Sequence, residues 1–265
     1  MSSAPNDMTA RAAAAALDWL AAMGADEIVA EAPIDRFAAS AVAAKPAAVK
    51  SPPAPAVPAP SPPAAAPAEM PTLGSLDEIA QALSRFDACP LKKTAANLCF
   101  YDGNPAARVM LIGEAPGRDE DLQGKPFVGR SGQLLDRMLA AIGLSRAAAD
   151  REQSVFITNV VFWRPPGNRT PTEAETTMCL PYLLRTIEAQ QPEMIVCLGA
   201  TPAHRLTGRS EGILKLRGRW LEASVGGRKI PLLPTLHPAY LLRQPAQKRL
   251  AWRDMLALRE ALDAH

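Results

Sequence analysis

The stretch Val109-Met110-Leu111-Ile112-Gly113-Glu114-Ala115-Pro116-Gly117 decides the fold. Its four leading apolar residues read as a buried strand. The glycine–proline turn behind them stops that strand and leaves one carboxylate, Glu114, at its carboxyl end. In open α/β sheets that edge is where ligands bind. Just downstream, residues 121–135 read DLQGKPFVGRSGQLL. There Lys125-Pro126-Phe127 forms a rigid step with glycines on both sides, able to present an aromatic face to something flat.

Three further apolar runs match the first. Residues 108–113, 155–160, 194–199 and 230–235 all read as buried strands, and helical patterns alternate with them. Ser75-Leu76-Asp77-Glu78 is a capping box that starts a helix running to about Phe86. A second helix covers residues 132–142, and Thr170-Pro171-Thr172-Glu173 reads as a box with proline at the first helical position. A short helix follows Thr201-Pro202, and residues 245–262 close the chain. Strands alternating with helices argue for a sheet covered on both faces. The expected fold is α/β: a three-layer α/β/α sandwich around a central, mainly parallel four-stranded sheet.

Composition divides the 265 residues into three parts. Residues 1–38 form a short helical segment with too few apolar positions for a core of its own. Residues 39–72 are Ala/Pro low-complexity sequence, in which proline fixes φ and removes donors, so an extended linker is expected. The globular domain then spans residues 73–265. The N-terminal segment and linker are candidates for contact with a protein partner; the domain itself is expected to be a monomer. No apolar run approaches membrane-spanning length and no signal-peptide pattern opens the chain, so a cytoplasmic location without membrane contact is expected. Net charge is only +2, yet residues 204–253 hold eleven Lys/Arg against Glu211 and Glu222, a footprint suited to phosphates. Cys89, Cys99, Cys179 and Cys197 lie far apart with no CxxC pair, against a disulfide framework or a simple zinc site.

The remaining strand ends also carry polar groups. The second run ends in Thr158-Asn159-Val160-Val161, where the Asn159 amide sets an acceptor beside a donor, and leads into Arg164-Pro165-Pro166-Gly167-Asn168-Arg169. The fourth leads into Leu236-His237-Pro238-Ala239-Tyr240-Leu241-Leu242-Arg243. Proline after His237 favours an extended histidine and starts a helix.

Together GEAPG, KPFVG, the Asn159 segment and the His237-Pro238 segment resemble the uracil-DNA glycosylase superfamily, closest to family 4, over residues 75–262. The resemblance implies a DNA repair enzyme that flips uracil out of single- or double-stranded DNA and hydrolyses its N-glycosidic bond. It implies that Phe127 stacks on the base, Asn159 reads N3–H and O4, and His237 donates to O2. Glu114 with Ala115 and Pro116 would face the sugar; Glu120 is a second candidate carboxylate, its plainer reading being a solvated charge at a helix start. Gly129 and Gly132 would let backbone approach the extruded nucleotide. Leu242 and Arg243 would supply a wedge or phosphate contact, with Arg164, Asn168 and Arg169 as further DNA contacts.

Two departures stand out. Family 4 members usually hold a 4Fe-4S cluster on four cysteines, and the corresponding positions here are Phe86, Cys89, Trp163 and Cys179. Two thiolates cannot complete such a site, so no cluster and no metal are expected, with Phe86 and Trp163 filling the volume. Covalent capture of the sugar by a histidine in an inserted loop is also disfavoured, since residues 163–172 contain none. The chief alternative is a non-catalytic module binding uracil or abasic DNA on the same fold. A phosphate-transfer enzyme is weaker, because no Lys-Ser/Thr follows Gly124 to Gly129.

Overall fold

A computed structural model describes residues 74–264. The expected N-terminal segment, the linker and the domain start at Leu73 lie outside those residues. The strands are β1 (Tyr101–Gly103), β2 (Val109–Gly113), β3 (Val155–Asn159), β4 (Met194–Leu198), β5 (Leu221–Val225) and β6 (Arg228–Thr235). The helices are α1 (Leu76–Arg85), α2 (Arg118–Gln123), α3 (Arg130–Ala140), α4 (Glu173–Gln190), α5 (Ala200–Thr207), α6 (Ile213–Leu216), α7 (Pro238–Arg243) and α8 (Lys248–Asp263).

Each expected apolar run is a strand, and the four pair in parallel as β3-β2-β4-β6. Side chains alternate across the sheet. Val109 and Leu111 of β2 pack toward α3 and α8, whereas Met110 and Ile112 pack toward α1, α4 and α5. Both faces are covered, which is why these strands carry continuous apolar sequence. Gly113 pairs with Asn159 and Leu198 with Thr235, so the carboxyl ends line up along one edge.

The sheet has six strands, not the four expected. Two antiparallel strands extend it, giving the order β1-β3-β2-β4-β6-β5. The half-buried β1 has only three residues. The alternating β5 is one arm of a hairpin closed by Gly226-Gly227, at φ 56° and 77°. Two consecutive left-handed residues are what a tight hairpin turn requires.

The helix starts follow local chemistry. Ser75 and Glu78 form the expected box, each side chain accepting from the other's backbone N–H at 3.2 Å. The box on α4 lies two residues later than expected. There the Thr172 hydroxyl accepts from Glu175 N–H at 3.2 Å, while Glu175 accepts from Thr172 N–H at 2.7 Å. Pro171 therefore precedes the cap. Buried Asp254 on α8 accepts from the Thr235 hydroxyl at 2.6 Å and pairs with Arg217. That ties the end of β6 in place and removes Arg217 from the basic block expected to meet phosphates.

Candidate active site

A cleft of about 540 Å³ opens at the carboxyl edge of the sheet, lined among others by Glu114, Pro116, Phe127, His237, Tyr240 and Arg243. Glu114, directly after β2, is half-buried. Its Oε2 accepts from the Thr201 hydroxyl at 2.5 Å. Thr201 belongs to the first turn of α5, whose positive end favours a carboxylate nearby. Ala115 and Pro116 line the same wall.

His237 caps α7. Its Nδ1 accepts from Ala239 N–H at 3.1 Å, so the neutral ring carries its proton on Nε2. Burial pushes the imidazole down to about 4, and Arg243 adds to the shift. A charged ring would lose that backbone bond and face a cation in a desolvated site. At neutral pH His237 is therefore an uncharged donor.

Phe127 stacks against His237, with ring centroids 5.5 Å apart and planes inclined by 29°. Asn159 is 1% exposed, and among the described residues its Oδ1 has no donor. A Cβ on Gly113 would sit 2.4 Å from that oxygen and 2.6 Å from the Phe127 ring. The missing side chain at position 113 is thus what lets the amide and the ring converge. An unmatched buried acceptor is costly in a folded protein and marks a place for a donor.

Glu120 lines the cleft but spends its carboxylate on backbone. Oε1 accepts from Val128 and Gly129 N–H at 3.0 and 2.9 Å, and Oε2 from Gly117 N–H at 3.1 Å. It is a helix-start carboxylate as the sequence suggested, but buried instead of solvated. Gly129 and Gly132 also serve the protein itself. A Cβ at Gly132 would meet the Phe127 carbonyl oxygen at 1.8 Å, and one at Gly129 would meet Asp119 at 2.8 Å. Gly132 is thus held against the Phe127 turn and Gly129 against Asp119.

The 164–170 segment forms the opposite rim. Arg169 makes a two-pronged pair with Glu175 at 2.8 and 2.7 Å, which holds the Glu175 carboxyl down to about 2. Arg164 donates to Asn168 Oδ1 at 2.7 Å. Asn168 and Arg169 border the cleft, whereas Arg164 does not. Arg243 is exposed at its mouth; Leu242 packs partly on the cluster of Leu134, Leu236 and Leu241.

At the far corner Cys89 and Cys179 are fully buried. The neighbouring Cys89 thiol together with burial pushes the Cys179 thiol up. The Phe86 ring stacks on Trp163 at 6.3 Å and leans on Tyr182 at 4.9 Å. Where a four-cysteine cluster needs two more thiolates, this corner offers packed rings, so its residues do not fit that cluster. Cys99 donates to the Glu120 carbonyl at 3.1 Å and Cys197 is core in β4. Among the described residues no group of three His, Cys, Asp or Glu side chains is placed to hold a metal ion.

Residues 100–256 match the family model described as uracil DNA glycosylase superfamily. The chain belongs to that superfamily. It is 40% identical over 197 residues to the type-4 uracil-DNA glycosylase of Saccharolobus solfataricus, covering 72% of this chain and 88% of that protein. Against the type-4 enzyme of Archaeoglobus fulgidus it is 42% identical over 175 residues, covering 64% and 85%. Against that of Thermotoga maritima it is 41% identical over 186 residues, covering 68% and 91%. Membership accounts for the conjunction of GEAPG, KPFVG and His237-Pro238 on one edge. Sequence reading missed Thr201, whose only signal was its place after a strand end, and Arg146, an isolated basic residue whose role is taken up below.

Proposed function

We propose that this protein is a uracil-DNA glycosylase that hydrolyses the N-glycosidic bond of uracil in DNA and leaves an abasic site. The observation that carries the reading is the meeting of Glu114, Phe127, Asn159 and His237 at one sheet edge in a member of this superfamily.

An extruded uracil would stack on Phe127, and Asn159 Oδ1 would gain its missing donor from the base N3–H. Cytosine has no hydrogen at N3, so that acceptor would stay unmatched. As the bond from C1′ to the base N1 breaks, the electron pair goes to the base and charge gathers on its O2. The Nε2–H of neutral His237 would donate to that oxygen, a stabilisation of the kind worth about 10²–10³ in rate. Positive charge grows on the sugar beside Glu114. Thr201 holds one oxygen of this carboxylate and leaves the other for the cation and for the attacking water. Water then bonds to C1′ and releases a proton, and the uracil anion is protonated on leaving. Extrusion costs a few kcal/mol and is cheapest from single strands or mispairs.

The aromatic corner supports a second part of the reading: the enzyme works without an iron–sulfur cluster. Activity is assigned to residues 73–265, and removal of residues 1–72 is expected to leave it intact. The test is excision from labelled oligonucleotides with one uracil or one cytosine at the same place, abasic sites being cleaved by hot alkali. Cleavage at uracil alone is expected; none at uracil would overturn the assignment.

A further inference from the structure

We propose that Arg146 is a positioning residue for the base-stacking ring, acting by fixing the peptide that carries Phe127. The proposal rests on the glycosylase reading above. Phe127 has φ 55°, a left-handed conformation that a bulky residue adopts only when its surroundings enforce it.

The enforcing groups sit on both sides of one peptide plane. Arg146 Nη2 donates to the Phe127 carbonyl at 2.8 Å, and Nη1 donates to the Pro126 carbonyl at 3.0 Å. Across the plane Glu120 accepts from Val128 N–H at 3.0 Å. The peptide joining Phe127 to Val128 is therefore held at its oxygen and at its nitrogen. Gly132 closes the third side, leaving no room for a methyl group against the Phe127 carbonyl.

Arg146 is itself anchored. Its Nε donates to Asp136 at 2.8 Å and its Nη1 to Asp102 at 3.2 Å. With its side chain only 14% exposed and its charge matched by two carboxylates, it is not free to bind phosphate. Asp102 lies on β1, so this short edge strand supplies one of the anchors. A planar fork that bonds two successive carbonyls and two carboxylates cannot be replaced in full by a single ammonium.

The test is a double-mutant cycle on the full chain, read as single-turnover excision at saturating enzyme from a single-stranded oligonucleotide with one uracil. Arg146→Met and Phe127→Ala are each expected to slow excision about 10- to 100-fold, the range that loss of one base–aromatic stack implies. The double variant is expected to match Phe127→Ala within about threefold, because a residue acting through the ring has nothing left to act on. Arg146→Lys is expected to recover part of the rate. A multiplicative loss in the double variant, or an Arg146→Met rate within about threefold of wild type, would overturn the proposal. Should Arg146→Met fail to fold, Arg146→Gln is carried through the same cycle under the same criterion. An inactive wild type would instead sink the glycosylase reading, and this inference with it.

Discussion

The cleft at the sheet edge and the corner between α1 and α4 are built on opposite terms. In the cleft, polar groups are held in place by backbone and neighbours but left with spare bonding capacity. Among the described residues Asn159 Oδ1 has no donor, and the Nδ1 bond of His237 leaves its Nε2–H available. At the corner every large group is matched by another, as Phe86, Trp163 and Tyr182 pack together beside two buried, free thiols. Spare polar capacity in a buried place is tolerated where a ligand will use it. A closed apolar cluster needs no ligand. The contrast teaches that the candidate catalytic edge and the aromatic corner are separate regions, so each can be challenged without the other.

Trp163→Ala is the strongest challenge to the corner. Removing a ring that is 2% exposed is expected to cost about 3–5 kcal/mol of stability, measured by urea unfolding. The excision rate of the remaining folded protein should hardly change. A proportionate loss of rate would mean that corner and cleft are coupled.

The opposite pattern is expected at the cleft. His237→Ala and Glu114→Gln should each lower single-turnover excision about 10²–10³-fold. Melting temperature should move little in Glu114→Gln, and in His237→Ala by the loss of one helix cap, worth about 1 kcal/mol. Thr201→Val sharpens the same point, because it removes the hydroxyl on Glu114 and keeps the shape. A loss of about tenfold is expected, the value of one bond to a charged group, with Thr201→Ser retaining most of the rate.

The smallest effect concerns pH. With the folded imidazole of His237 pushed down to about 4 against an ordinary 6.5, the unfolded chain takes up its proton first. Stability from this group is therefore complete above about pH 6.5 and is lost as pH falls through the folded value. NMR titration of the ring should show no midpoint near 6.5, and excision should show no ionisation of His237 between pH 8 and 6. A midpoint near 6.5 would remove the argument for a neutral donor.

Much of this was legible because the central strands are buried on both faces and so announce themselves as apolar runs ending in marked residues. Glu114, Asn159 and His237 follow those runs directly. The edge strands were harder. β1 is too short and too exposed to show a pattern, and β5 hid behind Gly226-Gly227, a hairpin signal that was present but unread. Long-range partners were not legible at all. Nothing near Arg146 in sequence shows that its guanidinium meets the carbonyls of residues 126 and 127. Glu120 could be seen as a helix-start carboxylate, but its bonds to Val128 and Gly129 depend on how the 124–129 loop folds back. The cysteine substitutions were plain in sequence, whereas the stacking of Phe86 on Trp163 needed the fold.

The central claim is that this glycosylase excises uracil with an aromatic plug where its relatives' family carries a cluster. The most direct test measures iron, acid-labile sulfide and single-turnover uracil excision in one preparation purified without oxygen. Full excision with iron and sulfide far below one atom per chain is the predicted result. About four irons per chain, with activity lost on their removal, would contradict it.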